Sequence, residues 1–169
     1  MTYHARNTPL VSNKDAHSYI PYPISKQFSL LLGALAIAIE AERDIENVDV
    51  FNPAFDGWLE ESERAWDRVT DIQLVLKKMP IRRVEDQPLK MLGFMMHLAM
   101  SSETRTELQA VQSFAQREPH RLQCPGRDAL AHRITSMLAQ GQFLLGAIGG
   151  LEVFQPVIEG DLLSDTFVA

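Results

Sequence analysis

An all-α fold is what this sequence predicts: a mainly antiparallel, up-and-down helical bundle of four to five helices behind an extended N-terminal arm. Three observations point there. Apolar residues recur at steps of three and four along most of the chain, which is the spacing of one helix face. Prolines interrupt those stretches or sit in their first turns, where a missing N–H is harmless. No Gly-rich strand-to-helix motif, of the kind that opens a phosphate or dinucleotide site, occurs anywhere. The chain has 169 residues, the size of one domain, and 46% of them are apolar, enough for a proper core.

Three stretches divide the chain: an arm over 1–23, a helical domain over 24–150 and an irregular acidic tail over 151–169. Pro9, Pro21 and Pro23 keep the arm extended, and all three tyrosines (Tyr3, Tyr19, Tyr22) lie in it. It either packs on its own domain or reaches a neighbouring subunit. The first helix is expected from about Ser25 to Asn47. Ile24, Phe28, Leu31, Leu35, Ala38, Ile45 and Val48 follow a period of about 3.6 residues. Leu30, Ala34, Ile37 and Ala41 add a second apolar side, so this helix should be buried nearly all round.

The second helix should start with Asn52 as N-cap and Pro53 at its first position, and stop at Met79 before Pro80. Phe55, Trp58, Leu59, Ser62, Ala65, Trp66, Val69, Ile72 and Leu76 mark its inner face, and Glu60, Arg64, Asp67, Arg68 and Asp71 a solvated one. The short connection over 48–51 makes helices one and two antiparallel neighbours. A third segment runs from about Asp86 through Pro88 to Met100. A fourth starts at Thr104, whose capping box closes with Glu107, and ends before Pro119. Ser101-Ser102 between them reads either as a break or as a kink in one long helix. The last helix spans about Arg127 to Ile148, with Gly149-Gly150 closing it.

Charge and cysteine content exclude several function classes. The net charge of −6 and the lack of a Lys/Arg run argue against a nucleic-acid interface. The single cysteine, Cys124, cannot form an internal disulfide, so no oxidising compartment is implied and a cytoplasmic location is expected. As a nucleophile Cys124 would need a depressed pKa, for which only Arg121 and Arg127 stand near in sequence. The apolar run Leu30 to Ile39 is shorter than the roughly 20 residues that span a bilayer, so no membrane partner is expected. Ala36-Ile37-Ala38 has the small-residue pattern of a cleavage site, but the segment before it is long, polar and not basic, and a buried helix is the reading taken.

Candidate functional residues are few. No Glu is followed three residues later by His, as a di-metal bundle needs, and Asp128 with His132 supplies two ligands and no third; neither a metal nor another cofactor is expected. Met91, Met95, Met96 and Met100 crowd the third helix around His97. Such thioethers fill cores or line adaptable apolar pockets, and an imidazole among them would be the polar group of such a pocket. His132 lies off the apolar stripe of the last helix. The stretch Ala131-His132-Arg133-Ile134-Thr135-Ser136 resembles the surroundings of the phospho-accepting histidine in histidine phosphotransfer domains. That family has a Lys shortly after the histidine and then small residues that admit a partner. Ile134, Thr135 and the bulky Met137 stand there instead. The resemblance covers this stretch alone and implies phosphotransfer through His132.

Three functions are therefore open. The first is a non-enzymatic helical protein-interaction or regulatory module that self-associates, as a homodimer or with another protein. It rests on the apolar first helix, the arm and the absence of any catalytic constellation; no catalytic residue is named. The second is a ligand-binding or enzymatic bundle with an apolar pocket near His97, formed by the third helix against the first. The third is phosphotransfer through His132. A cavity beside His97 is the feature that separates the second from the others.

Overall fold

The computed structural model describes residues 23–46, 48–49 and 51–154, and the expected arm up to 22 and the tail beyond 154 lie outside them. Five α-helices make up the fold: α1 Pro23–Glu46, α2 Phe55–Lys78, α3 Asp86–Met100, α4 Arg105–Arg117 and α5 Ala129–Ile148. Short 3-10 helices at Pro119–Leu122 and Glu152–Phe154 complete it, and no strand occurs among the described residues.

Local chemistry accounts for most boundaries. Pro23 opens α1 rather than ending the arm, because the first turn has no use for its missing N–H. At α2 the cap expectation fails. Asn52 Oδ1 accepts from Ala54 N at 2.9 Å, and Asn52 O accepts from Phe55 N, so Asn52 closes a turn ahead of the helix. Ala54 takes the N-cap position without a side-chain bond. Thr104 does cap α4, its hydroxyl accepting from Glu107 N at 3.2 Å, while Glu107 Oε2 accepts from Glu103 N at 3.0 Å. The reciprocal bond thus falls one residue earlier than in the usual box. Asp128 caps α5 by accepting from Ala131 N at 2.8 Å.

The third and fourth segments are two helices. Ser101 Oγ and Ser102 Oγ donate to the carbonyls of His97 and Leu98, both at 2.8 Å, which satisfies the end of α3 locally and lets the chain turn. Ahead of α3, Asp86 Oδ2 accepts from the backbone of both Arg82 and Arg83 at 3.1 Å and holds the connection from α2.

Helix α1 packs against α2, α3 and α5, and α3 packs against α4 and α5. The centre is filled by Phe28, Leu31 and Leu35 of α1, Val69 and Leu76 of α2, Leu89, Leu92 and Met96 of α3, and Ile134, Leu138, Leu145 and Ile148 of α5. Each large apolar side chain buried this way contributes about 1.5–3 kcal/mol. Where α1, α3 and α5 meet, Gly141 makes the closest approach: a Cβ there would stand 2.7 Å from Leu92 Cδ2 and 3.3 Å from Phe28 Cζ. Helix α4 lends the core only Leu108 among its fully buried residues.

Two expectations are corrected. Helix α1 is not buried all round: Leu30 is 47% and Ile37 57% exposed, because its three neighbours leave one side uncovered. By length and composition α1 is apolar enough to cross a bilayer, and half of its apolar window is buried within the fold. The start of the tail is not irregular either. Leu151 is fully buried, Glu152 N donates to Glu46 Oε1 at 2.7 Å, and Phe154 sets its ring edge-on to Trp66 at 5.5 Å.

Candidate functional site

The α2–α3 seam holds an open apolar groove. Thr70, Gln73, Leu74 and Lys77 project from α2 at steps of three and four; Lys90, Gly93, Phe94 and His97 do so from α3. Gln73 meets His97 at one end, and Lys90 meets the carbonyls of Lys77 and Met79 at the other. Between those ends runs a groove of about 260 Å³. Leu76 and Gly93 form its floor. Gly93 lets the helices come together, since a Cβ there would stand 2.7 Å from Leu76 Cδ2. Leu74 and Phe94 form its walls and are 45% and 51% exposed. Neither wall is covered by another described element, so a large apolar surface faces the opening.

The polar end is organised. Gln73 is 6% exposed and donates through Nε2 to Met100 Sδ at 3.5 Å. That leaves its Oε1 to accept from His97 Nδ1–H at 3.2 Å. A neutral imidazole held so presents Nε2 as an acceptor. At the other end Lys90 Nζ donates to Lys77 O at 2.9 Å and to Met79 O, placing a positive charge on the C-terminal carbonyls of α2. The Lys77 side chain stays exposed on the rim, where its stem adds apolar wall and its ammonium adds charge.

The sequence candidates separate in space. His97 lines the groove, but the partner helix is α2 rather than α1. Met95 and Met96 are buried in the core, Met91 packs partly buried against it, and Met100 reaches the groove only through Gln73. His132 is exposed near the start of α5, and Asp128, its neighbour in the two-ligand idea, is occupied as the helix cap. Among the described residues no group of three or more His, Cys, Asp or Glu side chains is placed to hold a metal ion. Cys124 is raised above the ordinary thiol pKa by burial, and then by the charges of Glu85 and Asp128, which is opposite to what a nucleophile needs.

The sequence reading passed over a second polar contact, on the other side of α2. Glu42, 9% exposed, accepts through Oε2 from Ser62 Oγ at 2.7 Å and from Trp66 Nε1 at 3.0 Å. A signal was present: Phe28, Leu31, Leu35, Ala38 and Glu42 continue one spacing, as do Ser62, Trp66, Val69, Gln73 and Leu76. A polar residue standing in an apolar register marks a buried bond. No family model, curated protein or solved structure matches this chain.

Proposed function

We propose that the chain is a binding module whose α2–α3 groove takes a small amphiphilic molecule, with an apolar body against Leu74, Leu76 and Phe94 and a polar end at His97. One observation carries this: an open, apolar groove with a buried glutamine fixing the imidazole at its end. The volume, about 260 Å³, suits a small ring system or a short chain and not a large cofactor. A hydroxyl or amide of the ligand would hydrogen-bond His97 Nε2, and Lys77 on the rim favours an acidic group at the opposite end.

In this proposal the helices run up and down as an antiparallel bundle. Two pairs of contacts support it. Gln27 near the start of α1 bonds Ile72 near the end of α2, while Glu42 near the end of α1 bonds Ser62 near the start of α2. Across the groove, Gln73 bonds His97 while Lys77 O accepts from Lys90. On this reading the groove lies along two helices of opposite direction.

The test uses 8-anilinonaphthalene-1-sulfonate, which carries an aromatic body and one acid group. Saturable fluorescence enhancement is expected with the folded full chain. It should be lost in Thr70→Trp, which fills the groove from an exposed rim position, and weakened in Phe94→Ala, with circular dichroism unchanged in both. Native mass spectrometry of the gently purified protein should show the same groove's natural occupant as added mass, absent from Thr70→Trp. Saturable binding that neither substitution alters would assign the dye to another surface and end the proposal.

A further inference from the structure

Helix periodicity places Lys26, Leu30, Gly33, Ile37, Glu40 and Asp44 along one side of α1. Lys26, Gly33, Glu40 and Asp44 are all exposed, as are Leu30 and Ile37. A Cβ at Gly33 would meet nothing within 4 Å. The opposite side, with Phe28, Leu31, Leu35 and Ala38, is in the core. Beside the C-terminal half of the stripe, α2 supplies Trp58 and Glu61. Together with Ile37, Glu40, Ala41 and Asp44 they line a hollow of about 160 Å³. It has an aromatic and aliphatic floor and three carboxylates on its rim. Among the described residues no cation lines it, and none of those carboxylates is in an ion pair. Lys26, at the far end of the same stripe, forms none there either.

The stripe is complementary to its own reverse. Lys26 precedes Gly33 by seven residues and Glu40 follows it by seven, so each lies about 10.5 Å from Gly33 along the axis. A two-fold axis passing beside Gly33 would set Lys26 of a second copy level with Glu40 of the first, and Leu30 of each beside Ile37 of the other. With no side chain at Gly33, the two backbones could cross closely. This pairing of one surface with itself is what an isologous dimer requires.

We propose that this side of α1 is a homodimer interface: two copies cross in opposite directions at Gly33, and each inserts Lys26 into the Trp58 hollow of the other. The lysine stem lies over Ile37 and the Trp58 ring, and its ammonium sits among Glu40, Asp44 and Glu61. A second copy fits better than a lipid surface. Helices that lie on membranes carry mainly Lys and Arg beside their apolar face, whereas Glu40, Asp44 and Glu61 outnumber the single Lys26 along this stripe and its hollow. The face is distinct from the α2–α3 groove, so dye binding at the groove should survive its loss.

Charge reversal tests the pairing in the full chain. Wild type is expected to be a dimer by native mass spectrometry and by light scattering coupled to gel filtration. Lys26→Glu should weaken it on the order of a hundredfold, because like charges then face each other, and Glu40→Lys with Asp44→Lys should do the same. Mixing the two reversed chains should restore a dimer holding one of each. All these positions are exposed, so circular dichroism should not change. A wild-type monomer overturns the proposal, as does a dimer that persists in both reversed chains. A wild-type monomer that co-sediments with phosphatidylglycerol vesicles would overturn it in favour of a lipid surface.

Discussion

Helix α2 meets a neighbour on either side, and the two seams are built on different terms. Toward α1 it places Ser62 and Trp66 around the Glu42 carboxylate, and the apolar residues on both sides close over them. Toward α3 it places Gln73 against His97 beside an open groove. Both seams carry polar contacts at their ends: Gln27 to Ile72 O and Glu42 to Ser62 and Trp66 in the first, Gln73 to His97 and Lys90 to Lys77 O in the second. In the first the Glu42 acceptor is a carboxylate and its hydroxyl donor, Ser62, is 1% exposed, so no water reaches that donor in place of Glu42. In the second His97 is partly exposed, so water can take the place of Gln73 at its ring. A sealed contact fixes how the helices pack; a contact beside solvent leaves room for something else to bind.

Substitution should show this asymmetry most at Glu42. Glu42→Ala leaves the Ser62 hydroxyl and the Trp66 N–H without an acceptor, for a loss of about 3 kcal/mol in urea unfolding. Glu42→Gln keeps an acceptor in place and should lose about 1 kcal/mol. Equal losses for the two would mean that the charge, not the acceptor, holds the seam. Next in size is Lys90→Met, at the closed end of the groove. It removes the cation from the C-terminal carbonyls of α2 and should cost about 1.5 kcal/mol, a fall in melting temperature of roughly 3–6 °C. Gln73→Leu should cost less, about 0.5–1 kcal/mol, because the His97 Nδ1–H it abandons reaches water. If Gln73→Leu destabilised as much as Glu42→Ala, the contrast between the seams would fail.

The sequence made the helices legible, and the seams much less so. The α3 and α5 spans, the Thr104 cap and the glycine pair after α5 follow from residues whose effect is local. Asn52 misled because its side chain satisfies a turn as readily as a helix start, and nothing in the sequence decides between them. Apolar content alone also overstated the burial of α1. Which side of an apolar helix is covered depends on how many neighbours reach it, and Leu30 and Ile37 have the same composition signal as Leu31 and Leu35. His97 was found from sequence because an imidazole among methionines stands out. Its partner Gln73 was not, although it keeps the spacing of Val69 and Leu76 and so belongs to the buried face. The methionines drew attention to α3 but to its inner side. Helical spacing puts Met95 and Met96 toward the core while Phe94 and His97 look toward α2.

Gly93→Ala is the change with the smallest expected effect on stability and the most telling one for the groove. Alanine favours a helix over glycine by about 1 kcal/mol. Against that, the new methyl group would stand 2.7 Å from Leu76 Cδ2, and this end of the leucine must move. Leu76 is 3% exposed and packed on its other sides by the core, so its open direction is the groove it already lines. The methyl group can turn there without creating a cavity elsewhere. The two terms should nearly cancel in urea unfolding, to within about 0.5 kcal/mol, while dye binding at the groove weakens because its floor has risen. The same substitution at Gly141 offers no such exit, because Leu92, Met96 and Phe28 surround that site in the core. It should cost about 1–3 kcal/mol and leave the groove as it is. A Gly93→Ala chain as damaged as Gly141→Ala would show that the α2–α3 seam is packed as tightly as the core, and the space needed for a ligand would not be there.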